Sequence, residues 1–349
     1  MPLEVPGSFD ELTTDWLRAL LGQPELGSIE IEPLGSSVGL LGDLARIRIS
    51  DPRPASMPTS LIVKLPTADP AGHEVGRMLR AWAREVAFYT EIAPASPGAR
   101  VPRCYGTQAD ENAGRWVVVL EDCEADPVDH SAGATPAQML AATVALADFH
   151  ATWWESPSTP HWMPAVSGQN FGGLQAAWTA NHPAFTERYA KLLPATSVDV
   201  LNRFTPQLAS WAAKAATEPT TIVHADYRLD NLLFHDGLVT MIDWQTALRG
   251  PGAMDLSCFL ATSLPVDARR ENEETLIERY LQQLEHRSIV VDRTWFEVSY
   301  DENLLWWMGQ FGNNLAHLEP DDSAAKEGLE NMVVRTFTAA IDRDVERLL

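Results

Sequence analysis

Cysteine is scarce in this chain: Cys104, Cys123 and Cys258 are the three in 349 residues, widely spaced and without a C-x-x-C pair. That excludes a disulfide framework and offers no zinc or redox motif, so the thiols read as reduced core groups. Positive charge is scarce too. Lys and Arg number 26 against 48 Asp and Glu, a net charge of −22, which argues against nucleic acid or an anionic membrane as partner and reads as a generally acidic surface. No apolar run approaches membrane-spanning length, and Met1-Pro-Leu-Glu-Val-Pro-Gly7 lacks the basic and apolar regions of a signal peptide, so a cytoplasmic protein is expected. Internal repeats, a P-loop and the G-x-G-x-x-G spacing are all missing. What is present, 45% hydrophobic and 21% charged residues, is ordinary globular composition, long enough for two lobes with substantial cores.

One stretch organises the rest. Thr221-Ile-Val223 reads as a strand running into His224-Ala-Asp-Tyr-Arg-Leu-Asp-Asn231. Two apolar segments follow, Leu232-Leu-Phe234 and Leu238-Val-Thr-Met-Ile242, separated by His235-Asp-Gly237 and ending on Asp243. An aspartate, an asparagine five positions later and a further aspartate beyond a hairpin match the catalytic loop and metal-binding carboxylate of kinase-type phosphoryl transfer. The chemistry explains the residue types. An attacking alcohol needs a carboxylate to orient it and take its proton, the role expected of Asp226. Magnesium prefers hard oxygen ligands, here Asn231 and Asp243, with nucleotide phosphates supplying others.

With Ile242-Asp-Trp244 and Gly250-Pro-Gly-Ala-Met-Asp-Leu256 added, the pattern resembles the aminoglycoside phosphotransferase and choline kinase superfamily, and looks closest to its ecdysteroid-kinase-like branch. The family usually has glycine where this chain has Ala225. The resemblance spans nearly the whole chain and implies an α+β, two-lobed protein-kinase-like fold: a small antiparallel β lobe with one helix over residues 1–120, and a larger, mainly helical catalytic and acceptor-binding lobe over 121–349. It implies ATP and Mg2+ as cofactors and a small-molecule alcohol as the second substrate. It leaves the acceptor's identity and the oligomeric state open.

The remaining segments fit that order. Ile29–Leu34 and Leu44–Ile49 read as strands joined by Gly35-Ser-Ser-Val-Gly-Leu-Leu-Gly42. Small residues there would let backbone amides approach phosphates, which makes Ser36, Ser37 and Gly39 candidates for covering the nucleotide. Lys64 lies in the apolar strand Ser60–Leu65, and 75–93 reads as one helix carrying Val75, Met78, Leu79, Trp82, Val86 and Tyr89 on a face with Glu85 beside them. Glu85 is the expected partner of Lys64, with Glu74 as competitor. Val101–Tyr105 and Trp116–Glu121 read as two more strands, and the resemblance assigns the adenine edge to the backbone of Glu121, Asp122 and Cys123. Helices are expected at 136–154, with His150 a core histidine, and at 174–191, 198–216, 267–286, 294–318 and 323–348, besides a first helix capped by Thr14. Asp255 reads as the N-cap of a helix from Leu256, while the resemblance suggests a brace for the catalytic loop.

Two functions follow from different classes: a kinase of small-molecule hydroxyls, and a catalytically weak nucleotide-binding module. Keeping Lys64, Asp226, Asn231 and Asp243 together speaks for the first. Trp306, Trp307, Met308 and Phe311 on one tail helix, with the acidic residues spread along the chain, suggest an apolar or mixed acceptor over an aminoglycoside- or choline-like cation.

Overall fold

The computed structural model describes residues 3–34, 41–318 and 323–349, without the side chains of 168–172 and 324. By its internal contacts the chain forms two compact units, 1–125 with 240–246, and 126–239 with 247–349. Residues 240–246, read in sequence with the helical lobe, thus belong with the β unit.

The first unit opens with α1 (Thr14–Leu21), whose N-cap is Thr13, not Thr14: the Thr13 side chain accepts the Trp16 amide, and Gly22 ends the helix in the left-handed region. Strands β1 (Ile29–Leu34), β2 (Gly42–Ile49) and β3 (Ser60–Pro66) follow. Then come helices α2 (Pro70–Leu79) and α3 (Ala81–Ala87), and strands β4 (Cys104–Asp110) and β5 (Arg115–Glu121). The five strands form one antiparallel sheet in the order β1-β2-β3-β5-β4. Side chains alternate across a strand. Leu61, Val63 and Leu65 therefore join Ala45, Ile47, Val117 and Val119 in a core closed by Trp16 and Leu17 of α1, while Lys64 between them points to the other face.

The single helix expected over 75–93 is broken. Arg80 adopts φ 52°, so α2 and α3 are separate, and Phe88–Ile92 continue as a π turn. Val75, Met78 and Leu79 are exposed while Trp82, Glu85 and Tyr89 are buried, so the apolar residues do not share one face. Gly76 permits the bend: a Cβ there would stand 2.5 Å from the Trp82 ring. The strand expected from Val101 starts only at Cys104, because Pro102 has no amide hydrogen to give a ladder.

The second unit contains α4 (Pro136–Trp153), α5 (Gly168–Tyr189), α6 (Ser197–Phe204) and α7 (Leu208–Ala215). Thr205-Pro-Gln207 separates α6 from α7 where one helix was expected. Strand β6 (Thr221–Val223) pairs with β9 (Leu248–Gly250), and between them come β7 (Leu232–His235) and β8 (Leu238–Met241). Asp236 at φ 50° and Gly237 at φ 75° turn the chain between β7 and β8, as an Asp-Gly pair favours. Helices α8 (Ala253–Ser263), α9 (Val266–His286), α10 (Arg293–Asn314) and α11 (Ser323–Asp342) complete the unit. Every residue of α8 is buried, with α4, α9, α10 and α11 packed on it, so it is the central helix of the unit.

The tail-helix aromatics belong to this core. Trp306 stacks on Trp211 with centroids 5.1 Å apart and lies 5.3 Å from Trp178, and Trp307 Nε1 donates to the Met254 carbonyl at 2.9 Å. Met308 and Phe311 are buried as well, so this set packs helix on helix, and the apolar-acceptor expectation draws no support from it. Among the described residues no helix is long and apolar enough to cross a membrane.

Candidate active site

In the β unit, register sets Lys64 opposite Leu44 on β2 and Val118 on β5. Its Nζ lies 2.9 Å from Glu85 and 2.7 Å from Asp243 Oδ1. Glu74, the competitor, pairs instead with Arg77 on the exposed side of α2. Burial pushes the Lys64 pKa down, but Asp243 and Glu85 more than offset it and raise it, so the amine stays charged. Burial raises Glu85 to about 7 against the lowering by Lys64. Asp243 itself sits at φ 63°, a costly conformation for a non-glycine residue. The neighbouring Trp244 fixes it there: its ring stacks on Phe88 at 3.9 Å and 8°, tying the Asp243 turn to the segment that follows α3.

Glu121, Asp122 and Cys123 stand at and just beyond the end of β5. The Asp122 carboxylate is taken by Arg46 at 2.7 Å and Ser60 at 2.6 Å, so its side chain faces strands β2 and β3. Burial pushes the Cys123 thiol up to about 11, which makes it an inert group. Ser36, Ser37 and Gly39 lie outside the described residues.

In the helical unit, the loop after β6 carries Asp226 and Asn231. Asn231 Nδ2 donates to both the backbone carbonyl and Oδ2 of Asp226, at 2.8 and 2.9 Å. Arg228 Nε donates to Asp226 Oδ1 at 3.0 Å and Arg228 Nη1 pairs with Asp230. Burial lowers the Arg228 pKa, and the two aspartates raise it further still. The loop is anchored at several points: Tyr227 Oη donates to the Ala142 carbonyl of α4 at 2.9 Å, and Ser263 Oγ accepts the Leu229 amide at 2.9 Å.

Asp255 is no N-cap. Gly252 is the residue before α8, and the fully buried Asp255 carboxylate accepts the amides of His224 and Ala225 at 2.6 and 2.8 Å. His150 Nε2 lies 3.2 Å from it, and His150 Nδ1 lies 2.7 Å from Tyr280 Oη. Ala225, where the family pattern has glycine, has φ 59°, the left-handed region glycine favours. The sequence reading passed over Arg228, and over Gln245, whose Nε2 lies 3.3 Å from Asp243 Oδ2. The charge order Asp226, Arg228, Asp230 was the available signal for the first; nothing in the sequence marked the second.

The APH phosphotransferase enzyme family matches residues 54–295, and the chain belongs to that family. Among solved structures it is similar to a provisionally assigned aminoglycoside phosphotransferase from Ralstonia eutropha JMP134, with 15% identity, TM-score 0.56, and 94% of this chain and 96% of that one covered. It is also similar to the gentamicin complex of APH(2")-IIa, with 13% identity, TM-score 0.55, and 97% and 99% covered. A third is an amicoumacin kinase in complex with AMP-PNP, Ca2+ and Ami, with 15% identity, TM-score 0.53, and 93% and 94% covered. At these identities the likeness is one of fold. No protein of curated function matches the sequence.

Proposed function

We propose that this phosphotransferase moves the γ-phosphoryl group of ATP to a hydroxyl of a small molecule. The observation that carries the reading is Lys64 held between Glu85 and Asp243: a buried cation kept charged by two carboxylates from distant parts of the chain is fitted to polyanionic phosphates. Residues 1–120 hold the nucleotide, with Ser36, Ser37 and Gly39 covering the phosphates, and the backbone of Glu121–Cys123, just past that lobe, meets the adenine edge. That the Asp122 side chain is occupied by Arg46 and Ser60 supports a backbone role there. Residues 121–349 supply catalysis and the acceptor site in a cytoplasmic enzyme. By its residue pattern we assign the chain to the ecdysteroid-kinase-like branch.

The donor set fits magnesium. Asn231 turns its amide nitrogen to Asp226, which leaves Oδ1 as its acceptor for a hard cation, and Asp243 adds a carboxylate oxygen. The ion, when bound, would neutralise charge on the phosphate oxygens. Asp226 orients the acceptor hydroxyl and accepts its proton. Arg228 and Asn231 hold its two oxygens, so the carboxylate meets the hydroxyl in one orientation.

For the acceptor we propose a mixed or apolar alcohol, on grounds other than tail-helix aromatics. Most of the acidic side chains of α9 to α11 are engaged in ion pairs. Glu273 and Asp342 pair with Arg269, Asp301 with Arg343 and Arg347, and Glu278 and Glu297 with Arg293. Those carboxylates are committed to ion pairs within the fold and are not free to line a polycation site. The gentamicin complex of a fold relative makes an aminoglycoside the competing acceptor. ADP release over a library of alcohols and aminoglycosides, at low and high salt, tests the proposal. Turnover of an alcohol with a salt-insensitive KM is expected, because a neutral acceptor has no charge to screen. A KM for an aminoglycoside that climbs steeply with salt would favour the cationic acceptor, and Mg-ATP binding without turnover on anything would favour a nucleotide-binding module.

A further inference from the structure

Gln245 follows Asp243 by two positions and is 8% exposed. Its Nε2 lies 3.3 Å from Asp243 Oδ2, the oxygen other than the one facing Lys64. The amide orientation is dictated by charge, since the reverse would set a carbonyl against a carboxylate. Oε1 is then directed away from Asp243. It is buried and, among the described residues, has no hydrogen-bond donor.

A buried amide oxygen without a donor costs stability. The turn cannot easily relieve it, because Trp244 is stacked on Phe88 and its Nε1 donates to the Met241 carbonyl at 3.2 Å. Packing alone gives no reason for glutamine here: an apolar side chain of equal length would fill the space without the orphaned oxygen. A neutral amide has one property that neither an apolar chain nor an ionised carboxylate shares. It donates to Asp243 and accepts from a second group at once.

We propose that Gln245 is a positioning residue for phosphoryl transfer: its nitrogen steadies the Asp243 carboxylate, and its carbonyl oxygen receives a donor that comes with the ligand, a water of the hydrated magnesium ion. Magnesium keeps several of its waters, and outer groups that orient ligands commonly change metal affinity or activity about 10- to 100-fold when removed. The inference rests on the reading of Asp243 as a magnesium ligand.

The test is calorimetric binding of ATP to the full chain with MgCl2 and with EDTA, for the wild type, Gln245→Met and Asp243→Ala. The ratio of the two Kd values is insensitive to the fraction of protein that folds. In Gln245→Met the Mg-ATP Kd is expected to rise about tenfold or more, with the EDTA value unchanged and the melting temperature equal to or above wild type. A structural role would instead lower the melting temperature and leave the ratio alone, which would overturn the inference. If Asp243→Ala loses the magnesium dependence while Gln245→Met keeps it, the inference fails and the metal reading stands. If Asp243→Ala binds Mg-ATP like wild type, both fail.

Discussion

Asp255 holds the backbone of Ala225: its buried carboxylate accepts that amide at 2.8 Å and the His224 amide at 2.6 Å, and so fixes the start of the loop that carries Asp226. Two hydrogen bonds to a charged acceptor are together worth about 3 kcal/mol, and the His224 amide is buried where nothing else replaces its acceptor. Asp255→Ala should therefore lose about 3 kcal/mol in urea denaturation and lose turnover with it. A loss below about 1 kcal/mol would show that the loop holds itself.

Ala225 sits at φ 59°, where an L-residue with a Cβ is strained by roughly 1–2 kcal/mol relative to glycine. Part of that is returned as the greater entropy of glycine in the unfolded chain. Ala225→Gly is expected to raise stability by about 0.5–1 kcal/mol with kcat unchanged. A lower denaturation midpoint would contradict the strain.

The two glutamates near Lys64 separate cleanly. Glu85 is buried against the amine, while Glu74 is exposed and paired with Arg77. Glu85→Gln should raise KM for ATP by about tenfold, about 1.4 kcal/mol of lost lysine orientation. Glu74→Gln should leave it unchanged. Equal effects in steady-state kinetics would remove the distinction.

Asp122 provides the pH test. Burial pushes its pKa up, but the hydrogen bonds from Arg46 and Ser60 and the charges of Arg46 and Arg48 hold it below the ordinary 3.8. A depressed carboxylate contributes stability above its unfolded pKa and loses it as pH falls through the folded one. Asp122→Asn is thus expected to be less stable than wild type at pH 7, with the gap closing below about pH 3.8 in urea titrations. A gap that does not narrow as the pH falls below 3.8 would mean that the carboxylate charge is not what stabilises.

The Asp226–Asn231 loop and the Lys64 strand were legible because their signals are local: an Asp-x4-Asn spacing, and a lone cation in an apolar run. What escaped the sequence was set by tertiary packing. Arg80 carries no mark of its left-handed turn, which depends on Trp82 lying over Gly76. An aspartate in the first turn of a helix looks the same whether it caps that helix or, like Asp255, reaches back to another loop. Trp306 and Trp307 have the spacing of pocket-lining aromatics and of core aromatics alike, and only their burial decides. The Lys64 pairing with Asp243 spans the two parts of the first unit, a distance in sequence that periodicity does not see.

The central claim is that Asp226 serves the acceptor hydroxyl, and Asp226→Asn tests it most directly. ADP release with an accepted alcohol should be measured beside calorimetric Kd values for Mg-ATP. The account predicts a fall in kcat of about 100-fold or more, the usual scale of general-base catalysis, with Mg-ATP affinity unchanged. A variant that keeps more than about a tenth of wild-type kcat would contradict the assignment of Asp226 as the base.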